Sequence, residues 1–227
     1  MHAQRRGGTT ERVYGRLRQD VLDGVLAPGA PLAEVDQSVR LEVSRTPVRE
    51  AFARLVADGL AQPLPGRGLV VAPLDPGAVE QLYDVREALE VKAARLAAQR
   101  RDAAEFTEFA HGFARAPELL GAGEAGLDRY YELTARFDEA IDAAVANPWL
   151  QQALASVRTH LVRIRRLARH DPARLSAAAA EHQLIAEAIA LGDADLAAHA
   201  VHVHLHRSRS HFSSALRHGS IEEEVSA

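Results

Sequence analysis

The chain contains no cysteine, which excludes a disulfide framework and any thiolate metal site. It contains no apolar run near the roughly 18 residues that a membrane-spanning helix needs, so no membrane partner is expected. Its first residues, Met-His-Ala-Gln-Arg-Arg-Gly-Gly, lack the apolar stretch of a secretory signal, and the expected location is the cytoplasm. No internal repeat is visible. A strong field of one sign is missing too: the formal net charge is −4. Residues 1–75 carry ten arginines against nine carboxylates, and the remainder carries 17 cationic residues against 22 acidic ones. Bulk attraction to a polyanion is therefore weak, and any nucleic-acid contact must come from individually placed arginines.

What is present is the balance of a soluble globular protein, with 47% hydrophobic and 26% charged residues. A length of 227 residues suits one large domain or two small ones. The stretch from Val43 to Phe52 is the most informative. Ser44 is suited to cap a helix, its hydroxyl accepting from N–H groups of the first turn. Pro47 fits that turn, where its missing N–H costs little. Val48, Phe52 and Leu55 recur at helical spacing and face a core. Arg45 and Arg49, four apart, project together near the helix start, where an arginine fork can reach guanine edges or phosphates. An ordinary surface helix with two solvated arginines is the alternative reading of this segment alone.

Around it, residues 1–9 read as a disordered arm. A helix is expected from about Thr10 to Leu26, with Val13, Leu17, Val21 and Val25 at steps of four, ended by Ala27-Pro28-Gly29-Ala30-Pro31. A short helix fits Ala33 to Leu41, and with the Ser44 helix it makes a helix-turn-helix. Residues 60–64 and 69–72 read as two strands joined by the turn Pro65-Gly66-Arg67-Gly68, a hairpin wing with an arginine at its tip. Beyond Pro73-Leu74-Asp75-Pro76 the pattern is helical, with helices expected at about 76–99, 102–118, 125–146, 148–169, 173–191 and 193–217. The expected fold class is mainly α: a winged helix-turn-helix over 10–73, an all-α antiparallel bundle over 74–219, and an acidic tail over 220–227.

The run from Tyr14 to Ala98 resembles the GntR family of bacterial transcription regulators, in its FadR-like branch. The resemblance rests on Leu17-Arg18, Pro28-Gly29, Leu32, Glu34, Val43 to Glu50, Leu55, Gly59-Leu60, Gly66-Arg67-Gly68 and Val71. Tyr83, Val85-Arg86, Leu89-Glu90 and Leu96-Ala97-Ala98 match the start of the helical domain that follows, and the rest looks like the family's effector-binding FCD domain. The resemblance implies a homodimer on a palindromic DNA operator. Ser44, Arg45, Thr46 and Arg49 would then face DNA, with Gly66 and Arg67 contributing from the wing. The chain departs from the family pattern at Gln37, Ser38 and Glu42, where leucine, alanine and glycine are usual. Gln37 is polar at a packing position, and Glu42 replaces a turn glycine.

Helical phase also places candidate sensor residues. His182 lies at the centre of an apolar arc with Leu175, Ala178, Ile185, Ala186 and Ile189. On the last helix, His199, His202 and His206 share a polar face, whereas His204 lies opposite, among Leu196, Ala197, Ala200, Val201, Val203 and Leu205. On the helix 125–146, Thr134 falls in the apolar arc and Asp138 on its edge. These two positions hold an Asp-x-x-x-His pair in metal-binding relatives, and the family's metal position agrees with His204. The resemblance thus points to Asp138, His182 and His204 as ligands of a divalent ion such as zinc, nickel or manganese. Taken alone, each histidine reads as a hydrogen-bonded core residue. Arg86, Thr134, His160 and Arg163 are candidate contacts to a small carboxylate effector, since an arginine can orient a carboxylate by a bidentate pair; a structural salt bridge, such as Arg86 with Glu90, is the equal alternative for the arginines. His211 also points inward.

The expected function is a ligand-responsive transcriptional regulator, in this family most often a repressor, whose DNA affinity is set by a small organic acid bound in the bundle. The alternatives are a metal-dependent enzyme on a helical bundle and a ligand-free dimerisation module.

Overall fold

The computed structural model describes residues 2–66, 68–167 and 171–217. By their contacts these residues form two units, one of residues up to Asp75 together with 159–163, the other of 76–158 and residues from Ile164 onward. The expected arginine at the wing tip, Arg67, and the acidic tail over 220–227 lie outside the described residues.

In the first unit the order is α1 (His2–Leu22), α2 (Glu34–Arg40), α3 (Arg45–Ala57), β1 (Ala61–Leu64) and β2 (Gly68–Val71). Val13, Leu17 and Val21 bury one face of α1 against Val48, Ala51, Phe52 and Leu55 of α3, and Leu32, Leu60 and Val71 close the cluster. Burial of each such side chain contributes about 1.5–3 kcal/mol, which fixes α3 on a rigid base and leaves its opposite face outward. The apolar spacing continues to Val25, but α1 stops at Leu22. Gly24 adopts a φ of 70°, the left-handed conformation that ends helices, and Val25 is 65% exposed. At its other end α1 reaches back to His2, through the residues expected as a loose arm.

β1 and β2 pair antiparallel with Ala61 opposite Val71 and Leu64 opposite Gly68. The proline-rich stretch after α1 runs beside β2: the Leu32 N–H donates to the Leu69 carbonyl at 2.8 Å and the Val71 N–H to the Ala30 carbonyl at 2.9 Å. Gln37 is buried, and the structure supplies its partner. Its Oε1 accepts from Arg40 Nε at 2.7 Å, while Arg40 Nη2 reaches the buried Asp20 at 2.5 Å. A buried amide and carboxylate that are hydrogen-bonded in this way escape the cost of unpaired burial.

The second unit contains α4 (Pro76–Arg100), α5 (Ala103–Ala114), α6 (Ala116–Leu120), α7 (Glu124–Val145), α8 (Pro148–Leu167), α9 (Pro172–Leu191) and α10 (Ala194–Arg217). α4 lies along α10 and α7, and α9 packs on α5 and α10. The helix expected over 102–118 is two helices. It breaks at Arg115 (φ −90°, ψ 0°) and restarts with Pro117 in the first turn of α6, because proline cannot donate to the turn before it. Asp102 and Asp171 cap α5 and α9, accepting from Ala104 N–H at 3.0 Å and Arg174 N–H at 2.9 Å. An aromatic layer joins α5 to α7, with Phe106 and Phe113 edge-on to Phe137 at 6.1 and 5.2 Å between ring centres. Among the described residues no helix is long and apolar enough to cross a membrane.

Candidate functional sites

The start of α3 presents the first candidate site. Ser44 takes the extended N-cap backbone (φ −70°, ψ 163°), yet its side chain makes no capping bond, contrary to expectation. The reason is in the sequence: a capping hydroxyl accepts from the second or third helical N–H, and the third residue is Pro47. Ser44, Arg45, Thr46 and Arg49 are all exposed on the face away from Val48 and Phe52. Gly66 is exposed in the wing turn with a φ of 76°.

The two arginines are not loose. Glu34, the first residue of α2, accepts from Arg49 Nε at 2.7 Å through one oxygen. Its other oxygen accepts from Arg49 Nη2 at 2.8 Å and from Arg45 Nη2 at 3.0 Å. These bonds, that from Arg49 foremost, bring the Glu34 pKa down to about 2, so the carboxylate is ionised throughout the neutral range. Glu34 was visible beforehand only as a family-pattern residue; its role as a partner needs the turn between α2 and α3 to be folded.

The second candidate site lies inside the helical unit. The rings of His182 (α9) and His204 (α10) are both buried, with centres 4.6 Å apart. Phe113 and Phe137 wall His182 at 5.1 and 6.2 Å. Burial, then the neighbouring His204 and the guanidinium groups of Arg165, Arg174 and Arg86, push the His182 pKa well below its ordinary value. His182 Nδ1 is buried and has no hydrogen-bond partner among the described residues. His204 Nδ1 lies 2.8 Å from Glu181 Oε2. Burial raises the Glu181 pKa, but hydrogen bonds from His204 and Arg174 outweigh it and bring it to about 2. An ionised carboxylate only accepts, so the proton of neutral His204 sits on Nδ1 and its Nε2 carries the free lone pair.

Arginines crowd this pair. Arg174 donates to both oxygens of Glu181 at 3.1 and 2.8 Å and to Ser208 Oγ at 2.8 Å. Arg86 is buried against the Tyr83 ring at 4.6 Å and donates to Glu90 at 2.7 and 3.3 Å. Burial works against its charge, but Glu90 outweighs that and keeps the guanidinium fully protonated. Asp138 accepts from Arg165 Nη2 at 3.3 Å, and Arg158 Nε lies 3.9 Å away. Thr134 is buried, its hydroxyl donating to the Tyr130 carbonyl at 3.0 Å.

The structure thus brings Arg86, His182 and His204 together, with Asp138 turned onto arginines beside them. Among the described residues no three metal-ligating side chains converge. His160 and Arg163 fall elsewhere: residues 159–163 group with the first unit, where Arg163 donates to the Ala72 carbonyl. Sequence reasoning missed Arg158, Arg165, Arg174 and Glu181. The spacing of seven in Arg158/Arg165 and Arg174/Glu181 puts each pair on one helix face, which was the available signal.

An arginine-tipped helix held on a winged helix-turn-helix, joined in one chain to a helical domain with a buried polar cluster, defines a DNA-binding regulator with a sensor domain. A sequence profile of bacterial regulatory proteins of the gntR family matches residues 9–71, and one of the FCD domain matches residues 81–207. The chain belongs to the GntR family. It is 33% identical over 204 residues, 89% of this chain and 85% of the relative, to an uncharacterized HTH-type transcriptional regulator in an unstable DNA locus of Streptomyces ambofaciens. It is 43% identical over 88 residues, 39% of each chain, to the HTH-type transcriptional repressor RspR of Escherichia coli. Its fold matches the solved structure of E. coli McbR/YncC with a TM-score of 0.71 at 20% identity, over 91% of this chain and 97% of that one.

Proposed function

We propose that this regulator is a homodimeric repressor whose grip on a palindromic operator is set by a small carboxylate bound at the histidine–arginine cluster of its FCD domain. The observation that carries this reading is the set of guanidinium groups, Arg86 buried and Arg165 and Arg174 partly buried, around two neutral imidazoles. Arg86 is held by Glu90 through two bonds and Arg165 by Asp138 through one, and a ligand carboxylate can replace either partner. Exchange of Asp138 for the ligand releases a tie between α8 and α7, while Arg86, whose partner Glu90 lies on its own helix, would tie α4 to the ligand. A ligand that prefers one arrangement shifts the helices, and with them the DNA-binding heads, toward it. On the DNA side, Ser44, Arg45, Thr46 and Arg49, with Gly66 and Arg67 from the wing, form the reading surface. Repression is supported by the name of the relative RspR, which aligns over less than half of the chain.

A divalent ion, zinc, nickel or manganese, is the finer part of this reading. His204 is pre-set for it, since its Nδ1–H is given to Glu181 and its Nε2 is left unprotonated, the arrangement that orients metal-bound imidazoles. His182 adds an unpartnered buried nitrogen. Asp138 completes the proposed set only by leaving Arg165. When bound, the ion would offer open positions to a chelating acid.

A thermal-shift screen of small carboxylates, with and without zinc, nickel or manganese, tests the proposal. A ligand present at 100 times its Kd adds about 2.7 kcal/mol of stability, a rise of roughly 5–10 °C for a chain of this size. The expected result is a rise of that order in the full chain that Arg86→Gln removes. Metal content of the purified protein should approach one ion per chain and be lost in His182→Ala/His204→Ala. Stabilisation by carboxylates that survives Arg86→Gln and the double histidine change together sinks the effector assignment, and a metal-free wild type removes the ion.

A further inference from the structure

The carboxylate of Glu34 stands in an unexpected place, on the outward face where a polyanion is to be bound. Simple charge reasoning makes it a liability. Its geometry says otherwise. A guanidinium has five N–H bonds: one on Nε and two on each terminal nitrogen. Glu34 meets Arg49 side-on, through Nε and Nη2, at 2.7 and 2.8 Å. That contact takes one N–H from each of these two nitrogens. It leaves both N–H groups of Nη1 and the second of Nη2, and one N–H from each of these terminal nitrogens forms the end-on edge of the fork. The end-on edge is the one that pairs bidentately with O6 and N7 of guanine in the major groove. The same carboxylate also takes one bond from Arg45 at 3.0 Å, so a single group from α2 holds two arginines of α3 at once. Both guanidinium groups stay reachable, Arg45 with 59% and Arg49 with 68% of their side chains exposed, while Glu34 is itself only 24% exposed.

We propose that Glu34 is a positioning residue for sequence readout: it locks the rotamers of Arg45 and Arg49 and presents their free edges to the bases. The proposal rests on the reading that these arginines face DNA. The free energy of ordering a long side chain is otherwise lost at the moment of binding, and a pre-set fork makes that loss smaller for the right sequence. Non-specific binding gains nothing from it. Phosphate contacts carry no sequence information and accept many arginine rotamers, and there the Glu34 charge is purely repulsive. Glu34 therefore trades general attraction for discrimination.

This trade separates the proposal from its rivals. The full-length wild-type chain selects a duplex from a random-sequence library, and affinities for that duplex and for a scrambled one of the same length are measured for wild type, Glu34→Gln, Arg49→Ala and the double variant. For Glu34→Gln the expected result is at least about a fivefold loss on the selected duplex, with binding to the scrambled duplex unchanged or tighter and an unchanged melting temperature. In the Arg49→Ala background, Glu34→Gln should add little further loss on the selected duplex. Three outcomes overturn the proposal. If both affinities rise in parallel, Glu34 only repels DNA. If both fall with the melting temperature, it only supports the fold. If Arg49→Ala leaves the selected duplex bound as before, the reading of α3 as the DNA-facing helix fails, and Glu34 has nothing to position.

Discussion

Glu42 holds a φ of 54° in the link between α2 and α3. A side chain in the left-handed region costs about 1–2 kcal/mol, and a glycine there gives back about 0.5–1 kcal/mol through the greater freedom of its unfolded chain. Glu42→Gly should therefore stabilise the first unit by up to about 1 kcal/mol net of these two effects. A higher urea midpoint at unchanged slope shows it, and Glu42→Ala, which keeps the Cβ, should give no such gain. A lower midpoint for Glu42→Gly means that the side chain makes a contact worth more than its strain. Of the three departures from the family pattern that were legible in the sequence, Glu42 and Gln37 differ in how much more could be read. For Glu42 the physical meaning was also readable, because turn geometry is local. For Gln37 it was not, since its partner Arg40 acts through Asp20, 20 positions earlier in the chain and on another helix.

At the scale of elements the same divide recurs. α3 and the wing were readable because proline, glycine and apolar spacing act within a few residues. Helical phase also set His182 and His204 inward correctly, since an apolar arc marks the buried side of a helix whatever packs on it. Phase does not say what an inward residue meets. Arg163 is buried as expected but bonds the Ala72 carbonyl, whereas Arg158 and Arg165 of the same helix reach Asp142 and Asp138. The split of α5 from α6 turned on Pro117 within a pattern that otherwise ran on. The α9–α10 contact offers a test at this level. Glu181 accepts from Arg174 of its own helix and from His204 of α10, and both it and Arg174 are nearly buried. Glu181→Gln leaves a buried guanidinium without its counter-charge, a situation that costs about 3–5 kcal/mol. Ser208→Ala removes one neutral partner of the same arginine and should cost about 0.5–1.5 kcal/mol. Chemical denaturation of the two variants measures both. Comparable small losses for the pair would mean that the charge of Arg174 is compensated from another side.

For the molecule as a whole, the distribution of charge decides how DNA binding responds to salt. The first 75 residues hold ten arginines and no lysine, nearly cancelled by nine carboxylates, and the chain as a whole carries −4. Several of those arginines are already spent within the first unit: Arg54 on Glu11, Arg40 and Arg16 on Asp20. Such pairs put no counterion-releasing charge on DNA. Of the others, the proposed reading surface takes Arg45, Arg49 and the wing residue Arg67, less the charge of the Glu34 that Arg45 and Arg49 share, so two heads of a dimer would bring a net charge of about +4 to the operator. Each phosphate neutralised contributes about −0.9 to the slope of log K against log salt concentration, so the full chain on its selected duplex should give a slope of about −4. Arg67→Ala, which removes one backbone contact from each head, should flatten it by about 2 while leaving the preferred sequence unchanged. Titrations of a labelled duplex between low and physiological salt measure both slopes. A value of −9 or steeper would require many more cations at the interface than α3 and the wing supply, and would place a second basic surface on the DNA. A slope of about −4 instead means that affinity is concentrated in a few arginines, so the geometry imposed on them matters more than the number of charges around them.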